Sequence, residues 1–284
     1  MDPRSAPGKI GVTPWPSISV VTPSFNQARF IGEALSSVRS QHYKKYEHLV
    51  IDGMSTDGTV AILQNWNADE MSWVSERDSG QSEALNKGFR RATGDIIGWL
   101  NSDDRYRPSC FEYVAHTFQT YPEVDVIYGD YLVVDESGET IAIRREIDFS
   151  AFILHYHRVL YIPTTTTFFR RRIFDEENWL DEKLHYAMDL EFFIRLSQRG
   201  YRFMHIPRLL ADFRLQPNSK TCSAAGKQRT EHQKIVLAAA PGLRGLRSPQ
   251  LRAMVLSMLR LLACIRRYSE KLLRGYYLER FASR

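Results

Sequence analysis

A chain of 284 residues, 43% hydrophobic and 25% charged, can bury a full core and is not a disordered polypeptide. Its three cysteines, Cys110, Cys222 and Cys264, are far apart, which excludes a disulfide framework and a thiolate zinc site and fits a reducing cytosol. The net charge of +5 conceals a division: residues 241–284 carry ten Lys and Arg against two Glu, so the rest of the chain is slightly acidic. That balance argues against nucleic-acid binding, which needs its basic surface on the folded domain.

The first sixteen residues are rich in Pro and Gly and read as a flexible N-terminus with no apolar core of signal-peptide length. Ile18-Ser19-Val20-Val21-Thr22 is a β-branched run predicting a strand, which stops at Pro23-Ser24-Phe25-Asn26-Gln27. Apolar residues at helical spacing from Phe30 to Val38 then predict a helix. A second strand-loop-helix unit runs through His48-Leu49-Val50-Ile51-Asp52, the turn Gly53 to Gly58, and Thr59 to Leu63. Asp52, at a strand end, can accept a hydrogen bond from the imide N–H of a uracil or thymine ring. Pro23, Ser24 and Asn26 would shape the floor of a base and ribose pocket, and Ser55 would add a hydrogen bond there. The loop Glu76 to Ser82 precedes a helix expected over residues 83–92 and capped by Ser82 or Ser79, so that Asp78 and Asn86 face a nucleotide and Lys87 screens its phosphates.

Asp95 to Leu100 reads as a buried strand that runs straight into Asn101-Ser102-Asp103-Asp104. Adjacent carboxylates at a strand exit supply hard oxygen ligands for Mn²⁺ or Mg²⁺, and an ion held there could bridge the phosphates of a nucleotide-activated donor. In parallel α/β sheets, ligands bind beyond the carboxyl ends of the strands, which would bring Ser24, Asn26, Asp52 and Asp103 to one crevice. Further on, Tyr161 to Arg171 is β-branched and aromatic and predicts a strand lining the acceptor side. Leu184 to Leu196 predicts an amphipathic helix with Asp189 in its first turn, facing the crevice.

The ordered segments Val20 to Asn26, Ile51 to Thr59, Asp78-Ser79-Gly80 with Asn86-Lys87-Gly88, and Asn101 to Asp104 resemble the signature of the family-two glycosyltransferases. The resemblance spans residues 17–216 and implies the GT-A fold: a Rossmann-like, mostly parallel mixed sheet flanked by helices. It divides that domain into a nucleotide-sugar half, 17–108, and an acceptor half, 109–216. It also implies a nucleotide-diphosphate-sugar donor, most naturally a UDP-sugar, with a divalent metal and inversion at the anomeric carbon. By the same resemblance Asp103 serves ribose and metal, Asp104 serves the metal, Ser102 joins the donor site, and Asp189 is the catalytic base, with Glu191 the second choice. Asn101 stands where the family's metal motif usually begins with an acid, and Gln216 stands where the family often has His.

Residues 217–240, rich at their start in Asn, Ser and Gly, are expected to form a lid or linker. Beyond them Leu251, Met254, Val255, Met258, Leu259, Leu262, Ile265 and Leu272 recur at helical intervals with arginines interleaved. A basic amphipathic helix of this kind can lie on an anionic membrane or pack on the catalytic domain with its arginines in solvent. No apolar run reaches the roughly 18 residues of a spanning helix. The expected activity is therefore hexosyl or N-acetylhexosaminyl transfer to a glycan or lipid-linked acceptor in cell-surface polysaccharide synthesis. The expected location is cytoplasmic or peripheral on the inner face of the cell membrane, through residues 245–284. Two other readings use the same crevice, a nucleotidyltransferase and a non-catalytic sugar-nucleotide-binding protein, although Thr22 to Asn26 lacks the glycines of a nucleotidyltransferase loop.

Overall fold

The computed structural model describes residues 14–66, 69–157, 159–216 and 225–276. The expected flexible N-terminus up to residue 13 and the first part of the expected lid, 217–224, lie outside them. The β-branched run forms β1 (Ile18–Ser24), followed by α1 (Ile31–Arg39), β2 (Tyr46–Asp52), α2 (Thr59–Asn65), β3 (Met71–Ser75), α3 (Gln81–Arg91) and β4 (Ile96–Trp99). The second half contains β5 (Arg105–Tyr106), α4 (Cys110–Thr120), β6 (Val126–Val134), β7 (Thr140–Arg144), α5 (Ala151–Tyr156), β8 (Phe168–Arg170), α6 (Arg172–Asp175), α7 (Met188–Gln198) and β9 (Phe203–Arg214). Three helices close the described chain: α8 (Ala225–Ala239), α9 (Pro241–Arg244) and α10 (Pro249–Leu273).

The strands join one sheet in the order β3-β2-β1-β4-β8-β6-β9-β5, with β7 also on β6. The first four are mutually parallel, β8 is antiparallel to both its neighbours, and β6 and β9 are parallel. Strand periodicity sorts the apolar side chains into two layers. Val21, Ile97, Val126 and Phe169 meet α3, α5 and α7 on one face, whereas Val20, Ile96, Ile127 and Phe168 meet α1 and α4 on the other. Helix α3 lies so close to β1 that a Cβ on Gly88 would fall 2.2 Å from a methyl of Val21. Helices α8, α9 and α10 share a smaller cluster of Val236, Leu243 and Leu256 with Tyr156 of α5.

Three expectations about local structure are corrected. The cap of α3 is Gly80 at φ 143°, with Asp78 rather than a serine accepting its N–H, while Ser79 N donates to Glu83 at 2.8 Å. The expected strand 161–171 is interrupted: Thr164–Thr166 wind into a 3₁₀ turn, and Thr167 Oγ donates to the Pro163 carbonyl at 2.7 Å, leaving only Phe168–Arg170 extended. Threonine hydroxyls that bond the backbone compete with a ladder, so β-propensity did not prevail. The second part of the expected lid, 225–239, is a helix whose Ile235 and Val236 are buried.

Candidate functional site

The parallel register aligns Ser24 with Asp52, and the Leu100 N–H donates to Val21 O, so β1, β2 and β4 end at the same edge. The loops that follow are stitched together. Asn26, left-handed at φ 52°, donates its N–H to Ser55 Oγ at 2.7 Å and accepts the Thr56 N–H at 2.9 Å, and Asp57 accepts the Ala28 N–H at 2.9 Å. Asp52 is fully buried and accepts from Ser55 N at 2.9 Å, from the Ser55 hydroxyl, and from Ser75 Oγ at 2.7 Å. Its carboxylate thus ties the loop after β2 to the end of β3 with the oxygens that were expected to face a base. Asp78 lies against Gly53, where a Cβ would fall 2.6 Å from its carboxylate, and burial raises its pKa above the ordinary value. Pro23 is buried at the end of β1, and the neighbouring Ser24 hydroxyl is buried without a hydrogen-bond partner among the described residues. A buried hydroxyl left unpaired at the strand edge where β1, β2 and β4 end is available to a ligand.

The acidic turn sorts its two carboxylates by direction. Asp104 is 1% exposed and turns inward, where it accepts from Thr165 Oγ at 2.5 Å, Asn101 Nδ2 at 3.0 Å and the Arg214 N–H at 2.9 Å. Asp104, expected as a metal ligand, thus accepts three hydrogen bonds from protein donors, which leaves about one of its four lone-pair sites. Asp103 is half-buried, accepts from Gln216 Nε2 at 2.6 Å, and has its pKa raised by burial. Ser102 between Asn101 and Asp103 is buried. Asn101 explains its own departure from the motif: its oxygen accepts from the Trp99 indole and from Gln81, both at 2.9 Å, while its NH₂ serves Asp104. An aspartate could accept the first two bonds but not donate the third.

Arg214 opens the segment in which Gln216 replaces the family's His but was not among the expected site residues, and it holds this turn from behind. It is 1% exposed, donating through Nε to Asp103 O at 2.9 Å and through Nη2 to Glu33 at 2.5 Å, with its guanidinium over the Phe30 ring. Its place two residues before Gln216, in the Arg-x-Gln that matches the family's Arg-x-His, was the sequence signal that could have marked it.

Asp189 lies in the first turn of α7 and opens into a cavity of about 530 Å³. Thr164, Thr165, Phe213 and Tyr131 share that cavity, so Thr165 touches both the space Asp189 faces and the Asp104 carboxylate. Burial pushes the Asp189 pKa up to about 6. The second choice, Glu191, is occupied by a bidentate pair with Arg195 at 2.7 and 2.9 Å. Asn86 does not face the nucleotide crevice as expected: it is 1% exposed and spends its amide on Leu180 N, Leu180 O and Glu182. Lys87 likewise pairs with Glu83 at 3.0 Å and Glu76 at 3.3 Å rather than standing ready for phosphate. The cavity also receives Gln228, Arg229 and His232 from α8 and Arg260 from α10, none of which the sequence reading had placed in a site. Burial, reinforced by Arg260, holds His232 down at about 4, so it is neutral near pH 7.

Among the described residues no group of three or more His, Cys, Asp or Glu is arranged to hold a metal. The donor set at the turn is instead one outward carboxylate, Asp103, beside the amide of Gln216. That oxygen-only set fits Mg²⁺ or Mn²⁺ bound through a carboxylate, with substrate phosphates completing the shell.

Residues 19–188 match the sequence profile of Glycosyl transferase family 2. An uncharacterised glycosyltransferase of Nostoc is 28% identical over 169 residues, which are 56% of this chain and 52% of that protein, so the chain spans about half the length of that relative. The Staphylococcus aureus TarS fragment 1–349, solved with UDP-GlcNAc, superposes with a TM-score of 0.65 at 17% identity, covering 92% of this chain and 75% of that one. The mannosyltransferase PcManGT of Pyrobaculum calidifontis, solved with GDP-Man and Mn²⁺, gives 0.60 at 20% identity over 87% and 70%. The curled, mostly parallel sheet with its acidic turn is the GT-A fold of glycosyltransferases. With the profile covering more than half of its length, the chain belongs to glycosyl transferase family 2.

Proposed function

We propose that the protein is an inverting glycosyltransferase that moves a sugar from a nucleoside-diphosphate donor to an acceptor hydroxyl. The observation that carries this reading is the single cavity reached by both Asp189 and Thr165, the residue hydrogen-bonded to the acidic turn. The nucleoside occupies the pocket around Ser24, Asn26, Asp52, Ser55 and Asp78, with Ser102 and Asp103 toward the ribose and diphosphate. Asp103, with the Gln216 amide, would hold Mn²⁺ or Mg²⁺, whose chemistry is to neutralise charge on the departing diphosphate. Asp104 holds Thr165 and the Arg214 amide in place. Asp189 takes the proton of the acceptor hydroxyl as that oxygen bonds to the anomeric carbon from the face opposite the leaving group. The bond to the diphosphate breaks with its electron pair, which gives inversion in one step.

Similarity to proteins solved with UDP-GlcNAc and with GDP-Man supports a nucleotide-sugar donor, and a UDP-sugar is the first choice because an Asp at the end of β2 suits a uracil imide. A panel of UDP- and GDP-sugars with and without Mn²⁺ is expected to give a rise in Tm for the fitting donor, larger with metal. Flat melting curves across the panel would fail the reading. Metal-enhanced binding without transfer or donor hydrolysis would leave a sugar-nucleotide-binding protein.

We also propose that α10 contacts a membrane, which supports a lipid-linked acceptor and a role in surface polysaccharide assembly. The helix buries Leu256 and Ala263 against the domain and also turns part of its basic side inward. Arg267 and Lys271 pair with the buried Glu146 at 2.8 and 3.1 Å, and Arg274 with Asp148 at 2.6 Å. Met254, Met258, Leu261, Ile265 and Leu272 are each more than half exposed on the outer side. With Leu251, Leu262, Tyr268 and Leu273 they present an apolar area on the order of 1,000 Å², above the few hundred Å² that monomers usually expose. Among the described residues no helix is long and apolar enough to cross a membrane, so contact would be in the interface plane. Since these cations are spent on Glu146 and Asp148, co-sedimentation with liposomes is expected to persist at high salt and to be lost in Ile265→Glu. Equal partitioning of wild type and Ile265→Glu would remove the membrane contact.

A further inference from the structure

We infer that the acceptor carries an anionic oxygen group, a phosphate or a carboxylate, which Arg229 and Arg260 hold while Asp189 acts on its hydroxyl. The inference rests on the transferase reading and specifies the acceptor side of that same site. The charged side chains lining the cavity are one carboxylate, Asp189, and two guanidiniums, Arg229 and Arg260. His232 stands with them, and its buried Nε2 has no hydrogen-bond partner among the described residues. Much of the remaining wall is apolar, including Leu160, Ile162 and Phe213. Two guanidiniums lining the cavity that Asp189 opens into offer paired hydrogen-bond donors that a neutral sugar hydroxyl does not require. An oxyanion does, and guanidinium is the side chain whose fork matches carboxylate and phosphate.

The donor's own diphosphate is the competing claimant for these cations, and their position disfavours it. Neither Asp103 nor Asp52 lines this cavity, whereas the arginines come from α8, which packs on α7, and from α10, which packs on α5. All three residues, Arg229, His232 and Arg260, lie beyond the part of the chain that the family profile matches, 19–188. The profile ends one residue before Asp189 and does not reach these helices, so the anion-holding wall belongs to the C-terminal helices of this chain.

The test uses the full chain and two simple probes, phenyl phosphate and benzoate, titrated calorimetrically with and without saturating UDP and Mn²⁺. Wild type is expected to bind phenyl phosphate equally in both conditions. Arg229→Ala with Arg260→Gln should weaken that binding at least about tenfold, the usual scale for losing charge-assisted hydrogen bonds. Asp103→Asn should leave it unchanged, and UDP affinity should be unaffected by the arginine variants. Tighter binding of phenyl phosphate than of benzoate assigns a phosphate, and the reverse order a carboxylate. Because Arg229 is exposed, Arg229→Ala alone carries the test if the double variant does not fold. Unchanged phenyl phosphate affinity in the arginine variants overturns the inference. So does displacement of phenyl phosphate by UDP, which would assign the cations to the donor. Failure of every protein to bind UDP would instead fail the transferase reading, while the phosphate titrations still report on the cations.

Discussion

Replacing Asp189 with Asn is expected to lower kcat by about 10³-fold, within the range general-base catalysis contributes, while leaving the donor Kd nearly unchanged. The amide keeps the shape of the side chain and can still accept the Leu190 N–H that Asp189 Oδ1 accepts at 2.8 Å, but it cannot take a proton. Glu191 offers no substitute while it is paired with Arg195. With the Asp189 pKa at about 6, kcat/KM in the wild type should fall on the acid side through that value, and the limb should vanish in the variant's residual rate. The same group ties stability to pH. Its folded pKa lies above the ordinary aspartate value of 3.8, so between these values the folded state binds more protons than the unfolded chain and stability falls as pH rises. Asp189→Asn should match wild type below about pH 4 and exceed it by up to about 3 kcal/mol above pH 7, at 1.36 kcal/mol per unit. Chemical denaturation at pH 4 and pH 7.5 checks this, and turnover near wild type would remove Asp189 as the base.

The two carboxylates of the acidic turn should separate sharply when substituted. Asp103→Asn is expected to fold normally and to lose metal-stimulated transfer by 10²-fold or more, comparable to removing one preorganised charge-stabilising group. Asp104→Ala should be primarily a folding lesion of about 3 kcal/mol, because it leaves the Thr165 hydroxyl and the Arg214 N–H buried without their acceptor. Manganese titration of activity, read beside urea denaturation, distinguishes them. A well-folded Asp104→Ala protein lacking only metal response would reverse the assignment of the two residues.

Much of the architecture was legible because it is written in local periodicity. β1, β2 and β4 are apolar runs ended by polar turns, and parallel pairing then puts Asp52 and the 101–104 turn at one edge. The positions of the acids could be read, but the directions of their side chains could not. Asp103 and Asp104 are neighbours, and which of them faces the crevice is decided by Thr165 and by Arg214, 61 and 110 residues away along the chain. Asn86 was misplaced for a similar reason: its helix and spacing were read adequately, but its partners, Leu180 and Glu182, are distant. In α10 the helical period was legible, but which side of the helix faces the domain was left open by the sequence. Glu146, buried, and Asp148, exposed, lie between β7 and α5 and draw Arg267, Lys271 and Arg274 inward beside the buried Leu256 and Ala263.

Arg260 and Leu261 are consecutive on α10, yet one lines the cavity and the other is 60% exposed on the outer side. Consecutive helical residues lie about 100° apart, so in the proposed reading the selection of an acceptor and the attachment of the protein to its surroundings are set by adjoining flanks of a single rod. Any drift in the tilt of that rod alters both traits at once. Divergence within such enzymes would then exchange them as one inherited cassette, leaving the donor half untouched.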